Sequence, residues 1–212
     1  MNPHKIFIFD FDGTLVDSFD YASTLLATLA DEFQFKKVPA HEIFELKNLS
    51  SRQLLKHLKI PFYKLPRIIL RARQHMAKEI LNLLPPQDLL QALNALVDQN
   101  ILLGILTSNS ITNVEQWLAN HGITHCFSFI KNESKFFGKA DVLKKIIKGY
   151  PIKRQQVYYI GDETRDIQAA KKIGINAVAV AWGFNSEDIL KEYKPDFLAQ
   201  NPLDLLNLVA KD

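Results

Sequence analysis

"KIFIFDFDGTLVDSFD", residues 5–20, decides how the rest of the chain is read. A short run rich in Ile and Phe stops abruptly at Asp10 and Asp12, with Asp17 close behind. The run has the length and composition of a buried strand, and the Asp-Gly pair after it marks a turn. Aspartate is a poor strand residue, and two carboxylates this close repel one another. Such an ending makes sense where a strand delivers chemistry, at the carboxyl edge of an open α/β sheet.

The text that follows is helical. Phe19, Leu25, Leu26, Leu29 and Phe33 recur at helical spacing over residues 18–34, with Ser18 placed to cap that helix. Helical patterns run on to about residue 84, interrupted near Pro39, Pro61 and Pro66, and "LLPPQD" at 83–88 reads as a linker. Strands and helices then alternate. Strands are expected at 101–106, 126–130, 156–162, 176–182 and 196–199, and helices at 88–99, up to His121, at 139–148, up to Ile173 and at 203–210. This alternation predicts an α/β fold with a Rossmann-like, doubly wound, mostly parallel sheet. The expected division is a core of residues 1–15 and 86–212 and an all-helical insert of residues 16–85.

Composition supports a packed globular chain of 212 residues, 47% hydrophobic and 23% charged. Cys126 is the only cysteine, so no internal disulfide forms, and it is expected to be inert in an apolar strand. No apolar stretch reaches the length of a membrane span, and a cytoplasmic protein, monomer or homodimer, without a membrane partner is expected. Charge is uneven. Residues 47–78 hold nine Lys or Arg and no acid, which leaves −6 for the remainder of a chain whose total is +3. Such a patch either meets an anion or is a solvated helix face.

The other predicted strand ends are chemically useful as well. One gives Thr107, Ser108 and Asn109; another gives Asp162, with Asp166 a helical turn beyond; Lys139 opens a helix between them. Clustered carboxylates hold a hard cation, most readily Mg²⁺, which would relieve the repulsion at Asp10 and Asp12. Hydroxyls, amides and a lysine suit phosphate oxygens. A calcium loop starting at Asp10 fails, because its sixth position is Leu15 rather than Gly and its twelfth is Tyr21 rather than Glu.

"DFDGTLVDS" at 10–18, "ILTSN" at 105–109, Lys139 in "FFGKADVL" and "YYIGDETRDIQAA" at 158–170 together resemble the four signatures of the haloacid dehalogenase-like phosphatases. The helical insert resembles the cap of the phosphoglycolate phosphatase-like subgroup. The resemblance implies a Mg²⁺-dependent phosphatase acting on a small phosphorylated metabolite, phosphoglycolate-like or a sugar phosphate. It implies Asp10 as nucleophile and Asp12 as general acid and base. It implies Asp10, Asp12, Asp162 and Asp166 at the metal, Asp12 through its carbonyl, and Thr107, Ser108 and Lys139 at the phosphoryl oxygens. Glu163 stands where Ser or Thr is frequent and is expected toward solvent or behind the metal.

In the insert, Lys47 and Arg52 of "LKNLSSRQLL" either meet a second anion on the substrate, so that anionic substrates are favoured over neutral-tailed ones, or belong to a helix N-terminus capped by Ser50 or Ser51 with Arg52 in solvent. His57 and His75 receive no role, Phe62 and Tyr63 are expected to pack rather than stack on bases, and Trp182 either lines the site or packs beneath it. Two rival readings are a phosphomutase and a nucleic-acid-binding module or polynucleotide-end phosphatase that grips backbone phosphate with the basic insert. The second gives Asp10 no role, so nucleic acid is disfavoured as a partner.

Overall fold

The computed structural model describes residues 4–133 and 138–209. Phe136 and Phe137 of the third signature, and residue 210 of the expected C-terminal helix, lie outside them. Among the described residues, six parallel strands form one sheet in the order β3-β2-β1-β4-β5-β6. The strands are β1 (Ile6–Phe9), β2 (Leu102–Thr107), β3 (Phe127–Asn132), β4 (Val157–Gly161), β5 (Asn176–Val180) and β6 (Phe197–Ala199). The doubly wound α/β expectation holds. The strand order reverses between β1 and β4, which opens a crevice at their carboxyl ends.

β1 is buried on both faces, so its sequence is a continuous apolar run. Phe7 and Phe9 point to one apolar cluster with Leu93 of α4 (Leu89–Asp98) and Trp117 of α5 (Ile111–Asn120). Ile6 and Ile8 point to the other, with Leu143 of α6 (Lys139–Lys148) and Ile167 of α7 (Thr164–Ile173). A short helix, α8 (Glu187–Glu192), follows β5. The expected C-terminal helix is present as a 3₁₀ helix, Pro202–Leu208. It is short, and its N-terminal amides at Gln200 and Asn201 are taken by the Asp204 carboxylate. Cys126 is buried, in a 3₁₀ turn just ahead of β3 and not in the strand itself.

Between β1 and β2 lie α1 (Phe19–Phe33), a 3₁₀ segment (Ala40–Asn48), α2 (Ser51–His57) and α3 (Leu65–Glu79). Leu25, Leu29, Phe35, Leu58 and Ile68 give this helical segment an apolar cluster of its own. Its far end is sewn to the sheet layer: Met76 and Ile80 join the cluster around Trp117, whose indole N–H donates to the Leu83 carbonyl at 2.7 Å. Phe62 and Tyr63 are exposed, 77% and 79%, against the packing expectation, because Pro61 starts a 3₁₀ turn that carries them outward. Ser18 does not cap α1. Its hydroxyl instead accepts the Gly13 amide at 3.1 Å, closing the loop after β1.

Candidate active site

The loop after β1 folds back on itself. The amides of Thr14, Leu15 and Val16 all approach the Phe11 carbonyl, and the Gly13 amide donates to the Val16 carbonyl at 3.0 Å. Gly13 sits at φ +77°, and a Cβ there would run into the Asp162 carboxylate and the Phe184 ring. The turn therefore presses backbone against the end of β4. Thr14 donates its hydroxyl to Asp162 Oδ1 at 2.8 Å, and the Phe184 amide donates to Asp162 Oδ2 at 2.7 Å.

Asp10 Oδ1 accepts the Phe11 amide at 2.8 Å, and Asp10 Oδ2 accepts Lys139 Nζ at 2.5 Å. The same ammonium donates to Asp166 Oδ1 at 2.5 Å. All three side chains are buried. Burial alone would lower the Lys139 amine, but Asp10 and Asp166 hold it well above the ordinary lysine value. Asp166 is pushed up to about 6 by burial, with Lys139 pulling the other way. Burial, then the charges of Glu163, Asp166 and Asp10, push Asp162 well above the carboxylate range.

Asp10, Asp162 and Asp166 each bring an oxygen into one group whose members lie within 4.8 Å of one another. One lysine does not balance that much buried negative charge, and a small divalent cation fits the donor set. The Asp12 side chain is not in this group. Asn109 Nδ2 donates to both its oxygens, at 3.1 and 3.2 Å, turning it to the cavity side. Burial first, and the Asp10 charge second, raise the Asp12 carboxyl to about 7.

β2 delivers Thr107 and Ser108 to the same edge. The Thr107 hydroxyl accepts the Asn109 amide at 2.9 Å, and Ser108 lines the cavity with Asp10 and Asp12. Asn109 is itself clamped: its Oδ1 accepts the Ser110 amide and Asn113 Nδ2, at 2.8 and 3.0 Å. Trp182 packs beneath the site and ties it down, its indole N–H donating to the Thr14 carbonyl at 3.0 Å.

The helical segment roofs the cavity, which has a volume of about 370 Å³. Asn185 ties roof to floor, donating to the carbonyls of Lys47 and Leu49 at 3.2 and 2.9 Å while its Oδ1 accepts the Thr164 amide at 2.9 Å. Ser51 Oγ donates to Glu163 Oε2 at 2.7 Å, and Arg165 pairs with the other Glu163 oxygen. Glu163 thus faces the roof. Burial works to raise its carboxyl, but Arg165 and Lys139 outweigh this and hold it below the usual range.

Of the expected anion readers, Arg52 is not brought to the cavity and Lys47 stands at its edge. Arg52 is exposed on α2, whose N-terminus is capped by Ser50 in a capping box with Gln53. Lys47 lies over the Phe19 ring, 4.1 Å from its centre. The cavity-lining cations are Arg73 of α3 and Arg165. Asn109 was visible as a polar strand end, but nothing in the sequence ties it to Asp12. Asn185 carries no sequence signal; Arg165 lies within the fourth signature and Arg73 within the basic run of residues 47–78, but their place at the cavity arises only when the helical segment folds over the sheet.

Residues 7–180 match the family described as haloacid dehalogenase-like hydrolase. A phosphoglycolate phosphatase from Synechococcus elongatus is 33% identical over 207 residues, covering 96% of each chain. A pyrophosphatase from Oceanobacillus iheyensis is 25% identical over 97% of each. A solved haloacid dehalogenase-like hydrolase from Streptococcus pneumoniae superposes with a TM-score of 0.79 at 25% identity, covering 96% of this chain and 97% of that one. With its signatures at the ends of β1, β2 and β4 and a helical segment over them, the chain belongs to the haloacid dehalogenase-like hydrolases, in the phosphoglycolate phosphatase-like subgroup, and is a phosphatase.

Proposed function

We propose that the protein hydrolyses a small phosphate monoester with the help of Mg²⁺, through a phosphoryl group carried on Asp10, beneath a helical cap formed by residues 16–85. One observation carries the reading: Asp10 is packed beside Lys139 and two further buried carboxylates, while Asp12, one residue on, is turned away from them and held by Asn109. Two neighbouring aspartates thereby acquire different environments, as a nucleophile and a proton donor require.

In the first half-reaction Asp10 attacks phosphorus, and a bond forms from its carboxylate oxygen as the ester P–O bond breaks. Asp12 gives its proton to the departing alkoxide. In the second, Asp12 takes a proton from water as the water oxygen attacks phosphorus; the bond to Asp10 breaks and inorganic phosphate leaves. Thr107, Ser108 and Lys139 donate to the phosphoryl oxygens, on which the charge of the transition state falls. Asp10, Asp162 and Asp166, with the carbonyl of Asp12, would hold the cation, which when bound neutralises phosphoryl charge.

Replacement of Asp10 by Asn tests the covalent step. Turnover of any phosphate ester by the folded variant is expected to fall below about a hundredth of wild type, since proton transfer alone contributes ~10²–10⁴-fold. Turnover above that level contradicts the role of Asp10.

A further inference from the structure

The cavity over the carboxylates is built in two halves. Its floor is polar and comes from the sheet edge. Its walls come from the helical segment and are apolar except for Ser23, Ser51 and Arg73. Ile43, Leu46, Leu49 and Ile69 line it without belonging to any of the apolar clusters that hold the fold together. Ile69 remains 42% exposed, on the same face of α3 as Arg73. At the rim, the Phe19 ring packs on Phe184 with centroids 6.0 Å apart and on the exposed Phe44 at 5.8 Å.

Aliphatic side chains that face a site and support no core are costly in water unless something covers them. A short acid would bring a second anion against these leucines and isoleucines, with Arg73 the one cation of the segment in the lining, Lys47 laid over the Phe19 ring at the rim and Arg165 paired with Glu163. The volume of about 370 Å³ falls in the range that encloses sizeable organic ligands. Resting on the phosphatase reading above, we propose that the alcohol released has an apolar body, branched alkyl or aryl-substituted, seated against Ile43, Leu46, Leu49 and Ile69, and is not a short carboxylic acid. This departs from the substrate in the name of the Synechococcus relative and from the anionic preference expected of the basic insert.

The test compares kcat/KM for 3-methylbutyl phosphate, 2-phenylethyl phosphate and phosphoglycolate, with Mg²⁺ present, on wild type and on Ile69→Gln. All three release a primary alkoxide, so differences report mainly on the cavity. Ile69 is half open to solvent and outside the core clusters, and an unchanged melting temperature shows that the variant folds. The two apolar esters are expected to exceed phosphoglycolate by about tenfold or more, and Ile69→Gln to cost them roughly 5- to 10-fold while moving phosphoglycolate less than about twofold. Phosphoglycolate turned over as well or better overturns the inference and leaves the phosphatase reading standing. Equal losses on all three esters also overturn it, assigning the apolar wall to closure of the helical segment. Release of phosphate from none of them overturns the inference, and release from no phosphate ester at all overturns the hydrolase reading beneath it.

Discussion

Asp10 and Asp12 differ by what surrounds them rather than by what they are. Asp10 faces a buried ammonium, and Asp12 faces a neutral amide that is itself held by two donors. Asn109 is in this account a positioning residue. Asn109→Ala removes one hydrogen bond to each state of a carboxyl that must stay aimed at the ester oxygen. It should lower kcat by roughly 10- to 100-fold with KM little changed, the scale of a hydrogen bond to a charged group. Steady-state kinetics on one good ester decide it, and a rise in KM at constant kcat would make Asn109 a binding residue instead. The aspartates themselves were legible in the sequence, because carboxylates at the end of a buried strand have no packing rationale. The partner of Asp12 was not, since a strand-end asparagine 97 positions away announces no contact.

At the scale of elements, the loop after β1 does most of the positioning. Gly13 in the left-handed region lets the turn close against Asp162 and Phe184, and Thr14 then orients Asp162. Gly13→Ala should destabilise the fold by about 1–3 kcal/mol, since it adds both backbone strain and a collision with buried groups. Urea unfolding measures it; a loss within about 0.5 kcal/mol would show that the loop has room the structure does not show. Element types were largely readable, because parallel strands buried on both faces are unbroken apolar runs. One misreading has a local cause. Ser18 stood at a helix start and looked like a cap, yet its hydroxyl is spent on the Gly13 amide. The basic run of α2 and α3 is mostly a solvated face; Arg71 pairs with Glu32, Lys64 with the Phe33 carbonyl, and Arg73 reaches the cavity.

For the whole molecule, the site concentrates buried acid that folding alone does not reward. Asp12 near 7, Asp166 near 6 and Asp162 well above the usual range are all raised relative to the unfolded chain. The sign follows directly. An acid with a raised folded value binds its proton more tightly when folded, so stability is lost as pH climbs from the unfolded carboxylate value through the folded one. The metal-free protein should therefore become less stable between about pH 4 and pH 7, with Glu163, held below its usual value, opposing the trend in part at the acid end. Mg²⁺ should raise the melting temperature at neutral pH, because it binds the folded cluster and not the open chain. Asp162→Asn should abolish that rise while leaving the metal-free variant at least as stable as wild type, since it removes a buried carboxylate with little opposing charge. Thermal melts across pH, with chelator and with Mg²⁺, measure all of this. A Mg²⁺ response that survives Asp162→Asn would move the cation elsewhere. The fold class and the carboxylate set could be read from the sequence because both lie in short runs at strand ends. The cavity wall could not, because it is made by side chains from α1, the 3₁₀ segment, α2 and α3 that meet only once the segment folds over the sheet.

The covalent role of Asp10 is the centre of the account, and the stereochemical course at phosphorus tests it most directly. Two successive in-line displacements, first by Asp10 and then by water, each invert phosphorus. Hydrolysis of an isotopically chiral phosphate ester by the wild-type enzyme should therefore proceed with net retention. Net inversion would mean that water attacks the ester in a single step and that Asp10 never carries the phosphoryl group.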